Sequence, residues 1–422
     1  MRIQRCKGTR DLSPVEMTAF RLIEGVFRDC CLRWGYQEVR TPTIEYLHLF
    51  TSAGTLTPNM LGKVYSFLDW DGWSGERVVL RPDGTIPVAR LYIDRMADKE
   101  LAKLSYVSNI FIFEDTGKKT RERWQCGAEL IGEGSPLAEV ELISLSLEIL
   151  GNLKIKDIEL RLSHAGLIRA LLVKLGLSPE EQTDIFDQIL DGNVKTLARV
   201  KKRSPELEEI LLPLLNLKGQ SSGFLRNLKA LSARHIPEIG PNLDNFINIV
   251  ELLEALGCEY KIDIASGAGF EYYTGVIFQL FIGKEKIGGG GRYDALIPAM
   301  GGKDIPASGF ALYLDRLMNL VKLETLTKTM SRKILVKSSS GEADVLKEAF
   351  SIASRLRQVG YTAEVGLGET EPDDPGWIIN VQGKAQPFTL WDKVKSEQIE
   401  AKSIDDVLSL LEARGADKNS PA

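Results

Sequence analysis

Apolar positions first fall into a helical rhythm just after Ser13-Pro14-Val15-Glu16, where Phe20, Ile23, Val26 and Phe27 make one stripe. The serine, the proline behind it and the glutamate three residues on form a capping box, so a helix starts here and Gly35 ends it. A short strand is expected over residues 36–40, running into Thr41-Pro42. Runs of strand character follow at 78–80, 104–113 and 126–131, with helical spacing over 86–96 and 137–150. Strands clustered without regular helix alternation predict a mainly antiparallel sheet in an α+β domain.

The pattern then changes. Residues 178–189, 193–201, 204–215 and 242–256 read as successive amphipathic helices, which predicts a helical insertion over about 178–255. Strands are expected again at 260–265, 272–281 and 308–312, and a helix near Tyr313. A polar stretch at 326–332 serves as a linker. Beyond it, 334–337, 343–359, 362–365, 377–381 and 404–414 spell a β-α-β-β-α order, a small α/β domain over 333–415. The tail 416–422 is expected to be disordered. The larger domain spans 1–325, and no internal repeat is visible.

Composition narrows the class. A chain of 422 residues that is 44% hydrophobic and 26% charged has the make-up of an ordinary globular protein with a sizeable core. Its net charge of −5 argues against a dedicated nucleic-acid binder. The five cysteines form no CxxC pair, so neither a zinc site nor a disulfide framework is expected, and reduced thiols fit a cytoplasmic setting. No stretch resembles a signal peptide or reaches the ~20 apolar residues of a membrane span.

Four stretches carry chemistry: Leu80-Arg81-Pro82-Asp83-Gly84-Thr85; Phe111 to Glu114 with Arg121 to Leu130; Phe270 to Phe278 continuing to Gly288-Gly289-Gly290-Gly291-Arg292-Tyr293-Asp294; and Ser308 to Arg316. Asp83 and Glu129 suit an ammonium or an imidazole N–H, and Gln125, Thr85 and the Tyr272 hydroxyl would complete a polar pocket for an amino acid. Each also has an ordinary explanation. Gln and Thr commonly occupy a solvated strand face, Tyr272-Tyr273 is common strand composition, and the four glycines make a tight turn or a phosphate cradle. No GKS or GKT follows them, which removes the P-loop.

These stretches, in this order, resemble the histidyl-tRNA synthetases. Lys7-Gly8-Thr9-Arg10-Asp11 and the segment before Pro42 resemble the first helix and the dimer-forming motif 1, residues 80–85 the LRPEGT segment, and 111–129 motif 2. Residues 272–278 with 289–294 resemble the histidine-binding motifs, and 309–316 motif 3. The resemblance covers about residues 5–325. It implies a class II aminoacyl-tRNA synthetase-like α+β fold and a histidine site made of Asp83, Thr85, Arg121, Gln125, Glu129, Tyr272 and Tyr273.

The departures from that pattern fall on ATP. The motif 2 arginine that meets the α-phosphate is Ile112 here, and a second arginine, before the tyrosine pair, is Ala268. An aliphatic side chain cannot stabilise phosphoryl charge, and one such preorganised group is commonly worth ~3 kcal/mol. Tyr313 stands where motif 3 has glycine beside the adenine, although Arg316 remains. A degenerate ATP site (Ile112, Ala268, Tyr313, Arg316) beside an intact amino-acid pocket resembles the regulatory-subunit paralogues of ATP phosphoribosyltransferase. Arg81-Pro82-Asp83, Val88-Ala89-Arg90 and residues 127–132 carry that resemblance further. It implies no catalytic residues, cofactor or metal. The implied ligand is free histidine and the implied partner a short catalytic ATP phosphoribosyltransferase chain, in a homodimer or larger hetero-oligomer without tRNA. Two alternatives stay open: a working histidyl-tRNA synthetase using Lys118, Lys119 or Arg121 near the phosphates, and a stand-alone histidine or tRNA sensor. Residues 331–422 resemble the synthetase anticodon-binding domain, but 12 Lys+Arg against 15 Asp+Glu give a net −3 that repels phosphate.

Overall fold

The structure is a computed structural model and describes residues 3–52, 61–70, 75–113, 120–174, 178, 181, 218–233, 236–264, 272–322, 333–366, 376–383, 388–393 and 395–413. The chain divides into two compact units, residues 1–321 and 322–422. The expected linker 326–332, the tail 416–422 and, apart from residues 178 and 181, the first three expected insertion helices lie outside the described residues.

In the first unit α1 (Pro14–Arg33) carries the expected capping box: Glu16 accepts from the Ser13 N–H at 2.7 Å while the Ser13 hydroxyl accepts from the Glu16 N–H. There follow β1 (Gln37–Glu38), β2 (Ile44–Tyr46), α2 (Leu47–Ser52), β3 (Ser66–Trp70), β4 (Gly75–Leu80), α3 (Thr85–Arg95), β5 (Ala102–Phe111) and β6 (Glu122–Ile131). Next come α4 (Leu137–Asn152), β7 (Ile158–His164), α5 (Ala165–Lys174), β8 (Lys218–Gly219), α6 (Ser222–Ser232) and α7 (Gly240–Ala255). The unit closes with β9 (Lys261–Asp263), β10 (Val276–Ile282), β11 (Glu285–Arg292), the one-turn α8 (Leu296–Ala299), β12 (Ala307–Tyr313) and the one-turn α9 (Leu314–Leu317).

Nine of these strands form one sheet, in the order β1-β5-β6-β12-β11-β10-β7-β9-β8. The neighbours from β5 to β7 are all antiparallel, and only the outlying β1–β5 and β7–β9 pairs are parallel. Strand β6 shows the two-residue alternation that makes the sheet two-faced. Cys126, Ala128 and Leu130 enter a core built with α1, α4 and α7, and Gln125, Gly127 and Glu129 take the other face. Phe310 and Leu312 of β12 join the same core, leaving Gly309, Ala311 and Tyr313 on the second face.

One expectation needs correcting. The glycines at 288–291 make neither a tight turn nor a phosphate cradle; they are the body of β11, paired on both sides in mid-sheet. Neighbouring chains come too close for side chains: a Cβ on Gly290 would stand 2.1 Å from the Gly309 carbonyl oxygen, and one on Gly291 2.4 Å from that of Val276. Strand β4 was expected from the run at 78–80, but its sheet partners β2 and β3, and the strands β7, β8 and β11, were not read from the sequence.

The second unit contains β13 (Ile334–Ser338), α10 (Ala343–Gln358), β14 (Ala363–Val365), β15 (Trp377–Val381), β16 (Phe388–Asp392), β17 (Glu397–Ala401) and α11 (Ile404–Ala413). Its sheet runs β14-β13-β15-β16-β17, parallel at β13 and antiparallel beyond β15. The hairpin β16–β17 adds two strands to the pattern expected from the sequence. Ile334, Val336, Ile379, Leu390, Ala349 and Leu356 form its core.

Arg292 ends β11 and locks it to α4. Its guanidinium meets Glu139 through Nε–Oε1 at 2.6 Å and Nη2–Oε2 at 2.7 Å, both residues being buried. The Arg292 carbonyl in turn accepts from the Thr274 N–H at 2.8 Å, which fixes the approach to β10. Removing one partner of such a pair strands a buried charge. Glu139→Ala is therefore expected to lower stability by about 3–5 kcal/mol in urea unfolding. A loss under about 1 kcal/mol would show that Arg292 finds other partners.

Candidate functional site

The second face of the large sheet ends in a small cavity of about 50 Å³. Strand register and two connecting segments bring its wall together from five parts of the chain. Gln125, Gly127 and Glu129 of β6 stand opposite Tyr313, Ala311 and Gly309 of β12, and Ala311 and Gly309 stand opposite Gly289 and Gly291 of β11. The turn from β4 to α3 contributes Asp83 and Thr85, and the segment before β10 contributes Tyr272 and Tyr273.

Glu129 lies at the bottom, 1% exposed. Tyr293 donates its hydroxyl to Oε2 at 2.6 Å, while Oε1 has no hydrogen-bond partner. Gly309 makes room for this carboxylate, since a Cβ there would stand 1.7 Å from Oε2. Burial raises the Glu129 carboxyl to about 8, despite the hydroxyls of Tyr293, Thr85 and Tyr106 that favour the charge. The neighbouring Asp83 adds to the rise.

Asp83 caps α3, accepting from the Ile86 N–H at 2.9 Å. Burial raises it to about 6, with the backbone amides of Ile86, Gly84 and Thr85 and the charge of Arg81 pulling the other way. Arg81 sets the turn itself. It donates to the Asn109 carbonyl at 2.7 Å, the Asn109 side-chain oxygen at 2.9 Å, and the Thr41 and Pro42 carbonyls at 3.0 and 3.1 Å. Two further glycines admit Tyr106 between the acids: a Cβ on Gly84 or Gly127 would stand 2.4 Å from its ring or 2.3 Å from its phenol carbon.

Tyr272 packs against Tyr273 with ring centroids 5.1 Å apart, and edge-on to Tyr293 at 5.6 Å. Gln125 is buried and its Oε1 has no hydrogen-bond partner. Two acids, an amide oxygen and several hydroxyls around one cavity can receive N–H groups, and above all cationic ones.

Six of the seven residues expected at the site meet here: Asp83, Thr85, Gln125, Tyr272 and Tyr273 line the cavity, and Glu129 closes it from below through Tyr293. Arg121 does not. Its guanidinium lies 4.4 Å from the centre of the Phe113 ring, and its methylenes lie against Gly8. Of the positions assigned to ATP, Tyr313 lines the cavity. Ile112 lies half-buried just past β5, its N–H donating to the Arg121 carbonyl at 2.9 Å. Arg316 pairs with Glu285 at 3.0 Å, partly exposed, and Ala268 lies outside the described residues. Asp315, beside it, accepts from the Trp124 N–H at 2.6 Å and from Arg10, tying the N-terminal segment to β6.

Tyr293, Tyr106 and Lys286 were missed as site residues. Tyr293 sits in a quoted motif, but its reach to Glu129 spans 164 positions. Nothing in the sequence marks Tyr106 or Lys286. Among the described residues no group of acids, histidines and cysteines is placed to hold a metal, and no helix is long and apolar enough to cross a membrane.

Residues 8–317 match the family model for histidyl-tRNA synthetase. The chain is 51% identical to the ATP phosphoribosyltransferase regulatory subunit of Dehalococcoides mccartyi, covering 97% of this chain and 98% of that one. It is 32% identical to the histidine–tRNA ligase of Methanocaldococcus jannaschii over 86% of each. A solved structure from Bacillus halodurans, described as an ATP phosphoribosyltransferase regulatory subunit/histidyl-tRNA synthetase, shares the fold with a TM-score of 0.74 at 24% identity. That match covers 88% of this chain and 95% of the other.

The raised carboxyls carry a pH prediction. Between the ordinary carboxylate range and about pH 8, folded Glu129 keeps a proton that the unfolded chain has released. Stability of the empty protein therefore falls as pH rises through that window, and Asp83 adds a smaller fall in the same direction below about pH 6. Glu129→Gln, which cannot ionise, should flatten the decline between pH ~5 and ~8 by an amount on the order of a few kcal/mol. A slope in urea unfolding that is unchanged by the substitution would place the titration elsewhere.

Proposed function

Because this chain belongs to the histidyl-tRNA synthetase family, and within it to the ATP phosphoribosyltransferase regulatory subunits, we propose that it binds free histidine and regulates a separate catalytic chain without making or breaking a bond itself. In this role it supports the first step of histidine biosynthesis and its feedback control by histidine.

One observation carries this reading: the amino-acid side of the cavity is built and buried, while two positions at which the synthetase pattern has arginines for the phosphates are Ile112 and Ala268. Asp83, Thr85, Gln125 and Glu129 keep polar atoms around a closed space. Ile112 supplies no charge where the synthetase pattern has arginine, Ala268 supplies none at the second arginine position, and Arg316 is held by Glu285. Activation of an amino acid needs positive groups around the α-phosphate as the carboxylate attacks. Binding of the amino acid needs only the first set.

In the proposed complex the histidine imidazole is read by Glu129 with Tyr272, and the α-ammonium by Asp83 and Thr85. The two acids explain the fit to a ligand with two N–H-bearing groups. A protonated carboxyl at Glu129 donates to a neutral imidazole nitrogen, and an ionised one accepts from N–H. The free energy that histidine contributes to regulation is the difference between its affinities for the active and inactive arrangements of the assembly. A coupling of about 1–3 kcal/mol would shift the balance between the two arrangements by roughly 5–150-fold. The partner is a short catalytic ATP phosphoribosyltransferase chain, and a homodimer of this chain is its minimal regulatory unit.

A synthetase remains the second reading, favoured by the 32% identity to a histidine–tRNA ligase. One preparation separates them. Calorimetric titration with L-histidine is expected to show binding, and histidine-dependent ATP–pyrophosphate exchange is expected to stay at the blank. Addition of the catalytic chain should then give phosphoribosyltransferase activity that histidine lowers. Robust exchange would identify a synthetase instead.

A further inference from the structure

A free amino acid brings a carboxylate into a cavity that already holds two acids. Taken out of water beside Asp83 and Glu129, that carboxylate needs a cation. In the synthetase pattern an arginine stands where this chain has Ala268. Neither Arg121, which lies on Phe113 and Gly8, nor Arg316 lines the cavity. Among the described residues that line the cavity, Lys286 is the one cation.

Its presence there follows from an irregularity in β11. Leu280 of β10 pairs with Gly288, but Phe281 pairs with Lys286, so Ile287 is an extra residue and forms a bulge. Without the bulge, residues 286 and 289 would point to opposite faces. With it, Ile287 enters the helical core and Lys286 joins the face of Gly289 and Gly291. The lysine chain then runs over bare backbone, its Cε 3.4 Å from where a Cβ on Gly289 would stand. Residue 286 is half-buried, which suits a stem lying along the strand beside the cavity.

We propose that Lys286 is the counter-ion for the α-carboxylate of the bound amino acid. The cavity is then complete for a zwitterion, with acids for the ammonium and imidazole and one lysine for the carboxylate. This assignment rests on histidine being the ligand. It makes Lys286 the residue that distinguishes an amino acid from the corresponding amine.

The test compares L-histidine with histamine, which keeps the imidazole and the ammonium but has no carboxylate. Calorimetric affinities are measured on the full chain for the wild type, Lys286→Met and Lys286→Arg. Methionine keeps a stem over Gly289 and removes the charge, and histamine binding reports that the pocket is still formed. The wild type should prefer histidine, and K286M should weaken histidine about tenfold or more while leaving histamine unchanged. K286R should keep most of the preference. If K286M keeps the full preference, or loses both ligands alike, Lys286 does not hold the carboxylate. A wild type that binds no histidine at all would overturn the proposed function together with this assignment.

Discussion

A carboxylate sealed at the bottom of a sheet is the constraint around which this domain is arranged. Glu129 is buried deeply enough that its protonated form is favoured near neutral pH, and only hydroxyl groups approach it. Holding it there requires a glycine directly across the sheet, because any side chain at residue 309 would occupy the position of the carboxylate oxygen. It requires β11 to be glycine-rich as well, since those chains pack where Cβ atoms would meet neighbouring carbonyls. The end of β11 is anchored as well, for Tyr293, which reaches Glu129, donates its N–H to the Ala307 carbonyl and follows directly on Arg292, which is fixed to Glu139. A carboxyl, a tyrosine, a glycine strand and a buried ion pair thus form one mechanical unit.

Much of this was legible in residues 80–85, 125–129 and 308–316, because strands of alternating character and motif order announce themselves locally. The capping box at Ser13 and Glu16 was read correctly for the same reason: all of its parts lie within four residues. What could not be read was whatever depends on pairing across the sheet. Four glycines followed by arginine carry the local signature of a turn, and only their neighbours Gly309 and Val276 make them a strand. Lys286 is invisible for a related reason, since its direction is set by a register shift against β10. Arg121 was misdirected in the opposite way. Its place in the motif suggested the pocket, but an aromatic ring at Phe113 and the open space at Gly8 claim its side chain.

The changes on the ATP side cost the amino-acid side little, because different parts of the fold carry the two. Asp83, Thr85 and Glu129 are positioned by Arg81, by the start of α3 and by Tyr293, none of which involves Ile112, Arg316 or Asp315. Asp315 has a structural duty, joining Arg10 to the start of β6, so an acid there has a use whether or not a nucleotide is ever bound. Selection for amino-acid binding alone would therefore leave residue 112 able to change without loosening the pocket, whereas Tyr313 belongs to the cavity wall itself.

That separation also bears on how such a protein signals. A ligand can shift an assembly only by interacting differently with its two states. The acids at the bottom of the cavity are held by an over-determined frame, with Gly309, Tyr293 and Arg292 leaving little freedom, so they are poor candidates for the part that differs. The upper wall is held by side-chain contacts rather than by strand pairing. Tyr272 and Tyr273 precede β10 and are tied through their hydroxyls to each other and to Thr85, with ring contacts and the Thr274–Arg292 hydrogen bond beside them. Lys286 sits at a bulge, where a strand bends most easily. A ligand whose ammonium and imidazole engage the rigid floor, and whose carboxylate engages the softer rim, would pull rim toward floor on binding. Histamine, held only at the floor, would bind without exerting that pull. A zwitterionic ligand is thus the kind of molecule for which this cavity can couple occupancy to a change of shape.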